Sequence, residues 1–411
     1  MSANARLITP VLIGGGIILM VSFGARASFG VFQIPIAADL GWLRVEYSLA
    51  LAIQNLAWGV GQPIFAAVAE RYGNRLALIL GGLTYFLGMA LSAMSISSEA
   101  HQVYGVLIGM GVAGTGFGVI FGMVGRATAE EHRSMALGLA TAIGSVGQII
   151  GPPLVGYLLA SFHWSDVFWI IGFAVLASLV VLPWMKTPKP SPSPTGEPMA
   201  RAIWNAVKDP SFILIFLGFY SCGYQIGFFT SHFPAMVTEL CGPIASGGVL
   251  DRMGVSTTAQ LGAWSIGLIG LANVAGTIIA GRLGAKHSKK NLLAAIYFGR
   301  VIVAAVFFLS PITPGTVILF SVLMGMLWLA TVPLTSGLLA HIYGVRYMGT
   351  LYGLVFFSHQ LGGFTGIWLG GALYDQLGGY DLVWWTGVGV GAFSALVHLP
   401  VRERPVSFAA A

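Results

Sequence analysis

Apolar residues dominate this chain in long stretches that end at short clusters of charge, glycine or proline. A helix rising about 1.5 Å per residue needs about 20 apolar residues to cross a hydrocarbon core of roughly 30 Å. The pattern predicts twelve such helices, over 11–32, 47–68, 76–95, 103–125, 135–160, 167–185, 212–237, 258–280, 292–309, 315–340, 348–373 and 382–399. The first contains Ala25-Arg26-Ala27, which faintly resembles a signal-peptidase site, but its apolar run is too long for a leader and opens a whole array. It is expected to remain in the mature protein. Residues 186–209 include TPKPSPSPTGEP, rich in Pro and Ser and without apolar periodicity, and read as a linker. The expected organisation is a six-helix bundle over 1–185, a cytoplasmic linker over 186–209 and a second six-helix bundle over 210–411.

Composition agrees with the pattern. Of 411 residues, 20 are Lys or Arg and 14 are Asp or Glu, so 8% are charged, where soluble domains carry about 25%. With 56% hydrophobic residues, a soluble globule is excluded and the bilayer is the expected environment. A net charge of +6 would suggest nucleic acid in a soluble protein, but here placement matters more than the sum, and nucleic acid is not an expected partner. Sixteen bases fall in the alternate connections that include both termini and the linker, whereas the other connections hold only Arg44 and Arg252. The positive-inside rule therefore puts both termini and the linker in the cytoplasm. Cys222 and Cys241 are too few for a disulfide framework and read as packing thiols.

The two halves echo each other. A shift of 215 residues pairs Gly147 with Gly362, Gly151 with Gly366 and Trp169 with Trp384, and a shift of 199 pairs Gly24 with Gly223 and Pro35 with Pro234. Parallel repeats of six helices predict two pseudo-symmetric bundles around a central path, the architecture of transporters. The fold class is thus an all-α membrane protein with twelve transmembrane helices in two six-helix bundles.

Ala66-Ala67-Val68-Ala69-Glu70-Arg71-Tyr72-Gly73-Asn74-Arg75 resembles the cytoplasmic signature of the major facilitator superfamily, with Glu in place of the usual Asp. Its counterpart from Gly281 to Lys290 has lost the acid, with Ala285 in that place. In the first span, Arg26-Ala27-Ser28-Phe29-Gly30-Val31-Phe32 is similar to the monocarboxylate porter branch, and the stretch from Cys222 to Ala235 looks like the seventh helix of its bacterial members. The resemblance covers essentially the whole chain. It implies a monomeric multi-pass transporter of a small organic anion in a bacterial inner membrane, without a cofactor. The Asp and Arg that the branch typically carries one turn apart in helix 8 correspond here to Asn273 and Thr277, and Met110 replaces the Arg of the superfamily's helix 4 motif. The cation that meets an anion must sit elsewhere.

All 14 acids lie outside the predicted spans, and two arginines, Arg26 and Arg300, lie within them. An arginine near the bilayer centre costs roughly 2.5 to 3.5 kcal/mol on insertion scales, so each needs a cavity or a partner. Two readings are open for each: binding of a substrate carboxylate by the guanidinium fork, or structural bonds to backbone carbonyls. Arg26 is the stronger substrate candidate, since Ser22, Arg26, Gly30 and Gln33 form one stripe of a helix that lines the central path in this superfamily. Helix 9, which carries Arg300, is usually peripheral in that fold. In helix 7, Ser221, Tyr224, Gln225, Phe228, Ser231 and His232 form a polar stripe that should face the cavity. Asn55, Trp58 and Gln62 in helix 2, Asn273 in helix 8, and Trp328, Thr331 and Thr335 in helix 10 could add polar groups or serve as satisfied interhelical bonds, while Phe117, Phe121 and Trp58 would shape an apolar wall. His359 lies about 16 Å into helix 11, on a stripe with Tyr352 and Phe356, and is the first candidate for a proton relay; His232 is the second.

Gly109-x-Gly111-x-x-Gly114 matches a dinucleotide fingerprint, but no strand precedes it and it lies inside an apolar span; it reads as a helix-packing face. Glu70, Arg71, Gly73 and Arg75 could lock the cytoplasmic side or simply set topology. No span holds paired carboxylates, a metal cluster or a nucleophile with its base, so an enzyme is not expected. The expected function is secondary transport of a small organic anion, a monocarboxylate by the resemblance, by alternating access with proton coupling through a histidine. The alternatives are an anion exchanger and an exporter of hydrophobic compounds.

Overall fold

The structure, a computed structural model, describes residues 8–128, 130–186, 199–343 and 348–406; the side chains of residues 70, 130–135, 199, 200, 202, 348 and 349 lie outside that description. In chain order the helices are α1 Pro10–Ser28, α2 Gln33–Leu40, α3 Arg44–Tyr72, α4 Asn74–Ala93, α5 Ser98–Thr115, α6 Phe117–Ala127, α7 Glu130–Leu159 and α8 Trp164–Ser178. They continue as α9 Met199–Lys208, α10 Pro210–Leu240, α11 Val249–Arg252, α12 Thr258–Lys286, α13 Lys289–Leu309, α14 Pro314–Leu327, α15 Thr331–Tyr343, α16 Met348–Leu377 and α17 Asp381–His398. Their starts follow from local chemistry. Thr9 caps α1 by accepting from Leu12 N at 3.1 Å with Pro10 at the first position, and Ser97, Asp209 and Thr313 cap α5, α10 and α14 in the same way.

Nine stretches among the described residues are long and apolar enough to cross a membrane. The other three of the twelve expected spans are α3, α16 and α17, of 29, 30 and 18 residues. The shortfall has a physical cause in the first two. Helices α3 and α16 pack on each other across the centre of the molecule, and Gln54, Asn55, Ser358, His359 and Gln360 are buried there rather than turned to lipid. Within the expected linker, 187–198 lie outside the described residues, and the segment ends in a helix, α9, whose Trp204 and Val207 are exposed while Ala206 is buried.

Two hydrophobic cores follow the two halves, one built from α1–α8 with Ile367 of α16, the other from α9–α17 with Ala27 of α1. Each repeats the same close packing. In the first half α1 crosses α7 where a methyl on Gly151 would stand 2.5 Å from the Gly24 carbonyl, and one on Gly147 would collide with the carbonyl of Met20. In the second half α10 crosses α16, and methyls on Gly362 and Gly366 would collide with the carbonyls of Tyr220 and Tyr224. Without a hydrophobic force between helices in lipid, such backbone contact through glycine is a main source of packing energy. The glycines of the apparent dinucleotide fingerprint do the same: Gly109 meets α3, and Gly111 and Gly114 meet α4.

Two corresponding spans are broken. The fourth stops at Gly116, which is extended between α5 and α6, and the tenth stops at Trp328, between α14 and α15. The first span also tightens into a 3₁₀ turn, Phe29–Phe32, between α1 and α2. Discontinuous helices at matching places in two repeats mark the region where a transporter handles its substrate.

Candidate functional site

Arg26 stands near the middle of the first span, one turn before the 3₁₀ turn. Its Nη2 donates to Asn55 Oδ1 at 2.9 Å, and its guanidinium lies 4.6 Å from the centre of the Trp58 ring. Among the described residues no carboxylate pairs with it. It borders a cavity of ≈ 20 Å³, lined also by Gly30, Gln54, Asn55, Trp58, Thr230 and Ser231. That volume is room for about one water molecule, and Arg26 is half-buried beside it. Asn55 ties Arg26 to the second half, because its Nδ2 donates to the Gln360 carbonyl of α16 at 3.3 Å.

On one side of Arg26 the halves are shut. A methyl on Gly30 would collide with the Thr230 carbonyl of α10, so the two backbones touch at the 3₁₀ turn. Beyond it, His232 Nε2 lies 2.7 Å from the Ile367 carbonyl and Nδ1 lies 3.1 Å from Gln33 Nε2. Only the Nε2–H tautomer fits, since a carbonyl accepts and the amide nitrogen donates. His232 thereby joins α2, α10 and α16. At the rim, Arg44 pairs with Glu239, donates to Tyr380 Oη at 2.7 Å and lies 4.3 Å from the Tyr374 ring centre. The Asp375 carboxylate accepts from the backbone N–H groups of Arg44 at 3.1 Å and Val45 at 2.6 Å, capping α3 from the end of α16.

The opposite, basic face carries Arg71, Arg75 and the start of α13, and no hydrogen bond between halves is found there among the described residues. Arg71 and Arg75 are exposed, and Arg71 lies over Tyr72 at 5.5 Å. Gly73 turns the chain at φ +100, a conformation that favours glycine. The side chain of Glu70 lies outside the described residues. Toward this face, an aromatic path leads away from Arg26. Trp58 packs on Phe23 at 5.8 Å and Phe356 at 5.3 Å, Phe23 packs on Phe117 at 4.4 Å, and Phe117 on Phe121 at 5.0 Å. Phe356 stacks on His359 at 5.5 Å and lies 6.4 Å from Tyr352. His359 Nδ1 meets Gln360 Oε1 at 3.1 Å.

The structure thus brings Arg26, Asn55 and Trp58 into one site, with Phe117, Phe121, Tyr352 and His359 along its approach. It does not bring Arg300, Gln225, Tyr224 or Asn273 there. Arg300 is 0% exposed; its Nη2 and Nε donate to the Leu327 carbonyl at 2.8 and 3.1 Å, Nη2 also donates to the Trp328 carbonyl, and Nη1 to Gln225 Oε1 at 3.3 Å. Asn273 Oδ1 accepts the Leu329 N–H at 2.9 Å. These two side chains meet the Leu327 and Trp328 carbonyls and the Leu329 N–H freed by the break in the tenth span, as broken helices in membranes require. Gln225 Nε2 donates to the Gly387 carbonyl at 3.1 Å and Ser221 to the Val390 carbonyl at 3.0 Å, so both face α17, and the Tyr224 ring lies against Gly387. The expectation that the helix 7 stripe faces the cavity therefore holds for Ser231 alone. Gly30 lines the cavity as its stripe predicts, whereas sequence reasoning misses Gln54 and Thr230 as lining residues and the Arg44 cluster as a lock. The available signal was the scarcity of bases in the connections on that side, where Arg44 is one of two among many acids.

Residues 15–367 match the Major Facilitator Superfamily profile, and this chain belongs to that family. It is 23% identical to the hexuronate transporter of Bacillus subtilis (strain 168), covering 90% of this chain and 88% of that one. It is 26% identical to monocarboxylate transporter 11 of Homo sapiens (84% and 70% covered) and 25% identical to the multi-drug resistance efflux pump PmrA of Streptococcus pneumoniae (92% and 92%). Its fold is similar to that of the D-xylose-proton symporter, with a TM-score of 0.71 at 15% identity over 97% of this chain and 99% of that one. The protein is a multi-pass membrane transporter of this superfamily.

Proposed function

We propose that this transporter carries a small organic anion with one carboxylate, moved by rocking the two bundles about Arg26. The observation that carries the reading is a guanidinium at the junction of the halves with, among the described residues, one neutral hydrogen-bond partner and no carboxylate, and a cavity beside it. A carboxylate would take the remaining donors as a bidentate pair, while Trp58 and the phenylalanines of the approach would cover its apolar part. The names of two relatives, a hexuronate transporter and a monocarboxylate transporter, are consistent with such a substrate.

In this reading the basic face is cytoplasmic, by the charge asymmetry of the loops, and the membrane is a bacterial inner membrane. The present conformation is then closed to the outside by the Arg44 cluster. Asn55 is the coupling element: it holds Arg26 through Oδ1 and the second bundle through Nδ2, so an anion that takes Arg26 from it frees the side chain whose other bond joins the halves. His359 joins the approach through Phe356 and serves as the proton relay, since it is a titratable side chain at mid-membrane depth along that path. The working unit is a monomer.

Uptake of radiolabelled mono- and dicarboxylates into proteoliposomes, with and without an inward proton gradient, tests the reading. A monocarboxylate accumulated by the wild type and lost in Arg26→Gln is the expected result. Uptake unchanged in that variant would remove Arg26 from the site, and a His359→Ala variant that keeps its response to the gradient would remove the relay. Uptake that depends on an anion preloaded inside and ignores pH would make the protein an exchanger.

A further inference from the structure

On the basic face the second half holds a basin of ≈ 870 Å³ that the transport path does not use. It lies between the α12–α13 connection and the chain that follows α17, and Lys286, Lys289, Lys290, Arg402 and Arg404 line it with a single carboxylate, Glu403. Two of the five cations are engaged: Lys290 Nζ donates to the Leu399 carbonyl at 2.9 Å, and Lys289 Nζ is 4.0 Å from Glu403. Lys286, Arg402 and Arg404 are exposed and their side chains meet no acid among the described residues.

Glu403 shows what the basin recognises. Its carboxylate accepts from Ser288 Oγ at 2.6 Å, Lys289 N at 2.9 Å and Lys290 N at 3.3 Å, so an anionic oxygen already sits on the N-terminus of α13. It comes from the chain after α17 to the α12–α13 connection, which holds no acid of its own. One carboxylate leaves the surrounding positive charge largely uncompensated. Beside the basin, Leu283, Leu396 and Leu399 are 40%, 65% and 51% exposed, an apolar border where acyl chains could lie.

We propose that this basin is a binding site for a phosphate-class anion, held by Lys286, Arg402 and Arg404 beside the Glu403 cap. The apolar border favours an acidic phospholipid headgroup as its source. The test uses the purified full chain in nanodiscs of phosphatidylcholine doped with phosphatidylglycerol, with retained lipid read by native mass spectrometry, and inorganic pyrophosphate titrated in a parallel arm. Lys286→Gln/Arg402→Gln/Arg404→Gln is compared with wild type, and Arg404→Glu alone guards against misfolding of the triple variant. Retention of phosphatidylglycerol should fall roughly tenfold or more in the triple variant and less in the single one, with the wild-type preference weakening as salt rises. Pyrophosphate binding that falls in the same variants, without lipid retention, supports the site with a soluble source. Equal retention and equal pyrophosphate binding in wild type and both variants would overturn it.

Discussion

The two arginines within the spans are held in opposite ways. Arg300 is wholly buried, and its guanidinium is filled by the carbonyls of Leu327 and Trp328 and by Gln225. Arg26 makes one hydrogen bond among the described residues, to Asn55, and faces a cavity and an indole ring. Both obey the rule that a cation at membrane depth needs partners, yet only one has donors left over. Where backbone from a broken helix supplies the partners, the arginine completes the fold; where they are missing, it can take a ligand.

That contrast is broken most directly by removing each arginine. Arg300→Ala should leave two buried carbonyls without their donor, at about 1 to 3 kcal/mol each, and lower the yield and melting temperature of purified protein. A variant as stable as wild type would show that the break in the tenth span holds without it. Arg26→Gln should instead keep its melting temperature and lose substrate affinity by roughly 10- to 100-fold, the worth of a charge-assisted hydrogen bond of about 1.5 to 3 kcal/mol. A transported monocarboxylate in excess should raise the melting temperature of wild type but not of this variant.

Smaller effects sharpen the same line. Asn273→Ala orphans one N–H at the break, at about 1 to 3 kcal/mol, so its loss should be roughly half that of Arg300→Ala, which orphans two carbonyls; an equal loss would mean that the two act as one unit. Glu403 lies far from both arginines and gives the smallest effect. Partial burial would raise its carboxyl, but the bonds from Ser288, Lys289 N and Lys290 N outweigh this and hold it below its ordinary value of 4.5. Its contribution to stability is therefore complete above pH 4.5 and is lost as pH falls through the lowered value. Glu403→Gln should flatten that acid limb of the unfolding curve and leave transport at neutral pH unchanged.

Much of the fold was legible because lipid imposes simple rules. Span length, loop charge and the glycine spacing shared by Gly147 and Gly362 each have one dominant physical cause, and the structure places those glycines in equivalent crossings of α1 with α7 and α10 with α16. The site was legible only in part. Arg26, Asn55 and Trp58 share neighbouring faces of two helices that helical spacing can align. Gln225 and Asn273 sit on polar stripes as well, but a stripe can satisfy its hydrogen bonds on carbonyls of another helix as readily as on a ligand. Spacing does not record which neighbour is present.

By itself, then, the sequence determined that this chain spans a membrane, that its halves repeat glycine spacings, and that its expected spans carry two arginines and no acid. Those properties follow from the cost of polar groups in hydrocarbon, which every helix meets separately. Only the tertiary structure decided which arginine is filled, because that depends on where the tenth span breaks and on whose carbonyls the break exposes. It also decided that Arg44, Glu239, Asp375 and Tyr380 meet at one rim, since their partnership exists only when the two halves close on each other.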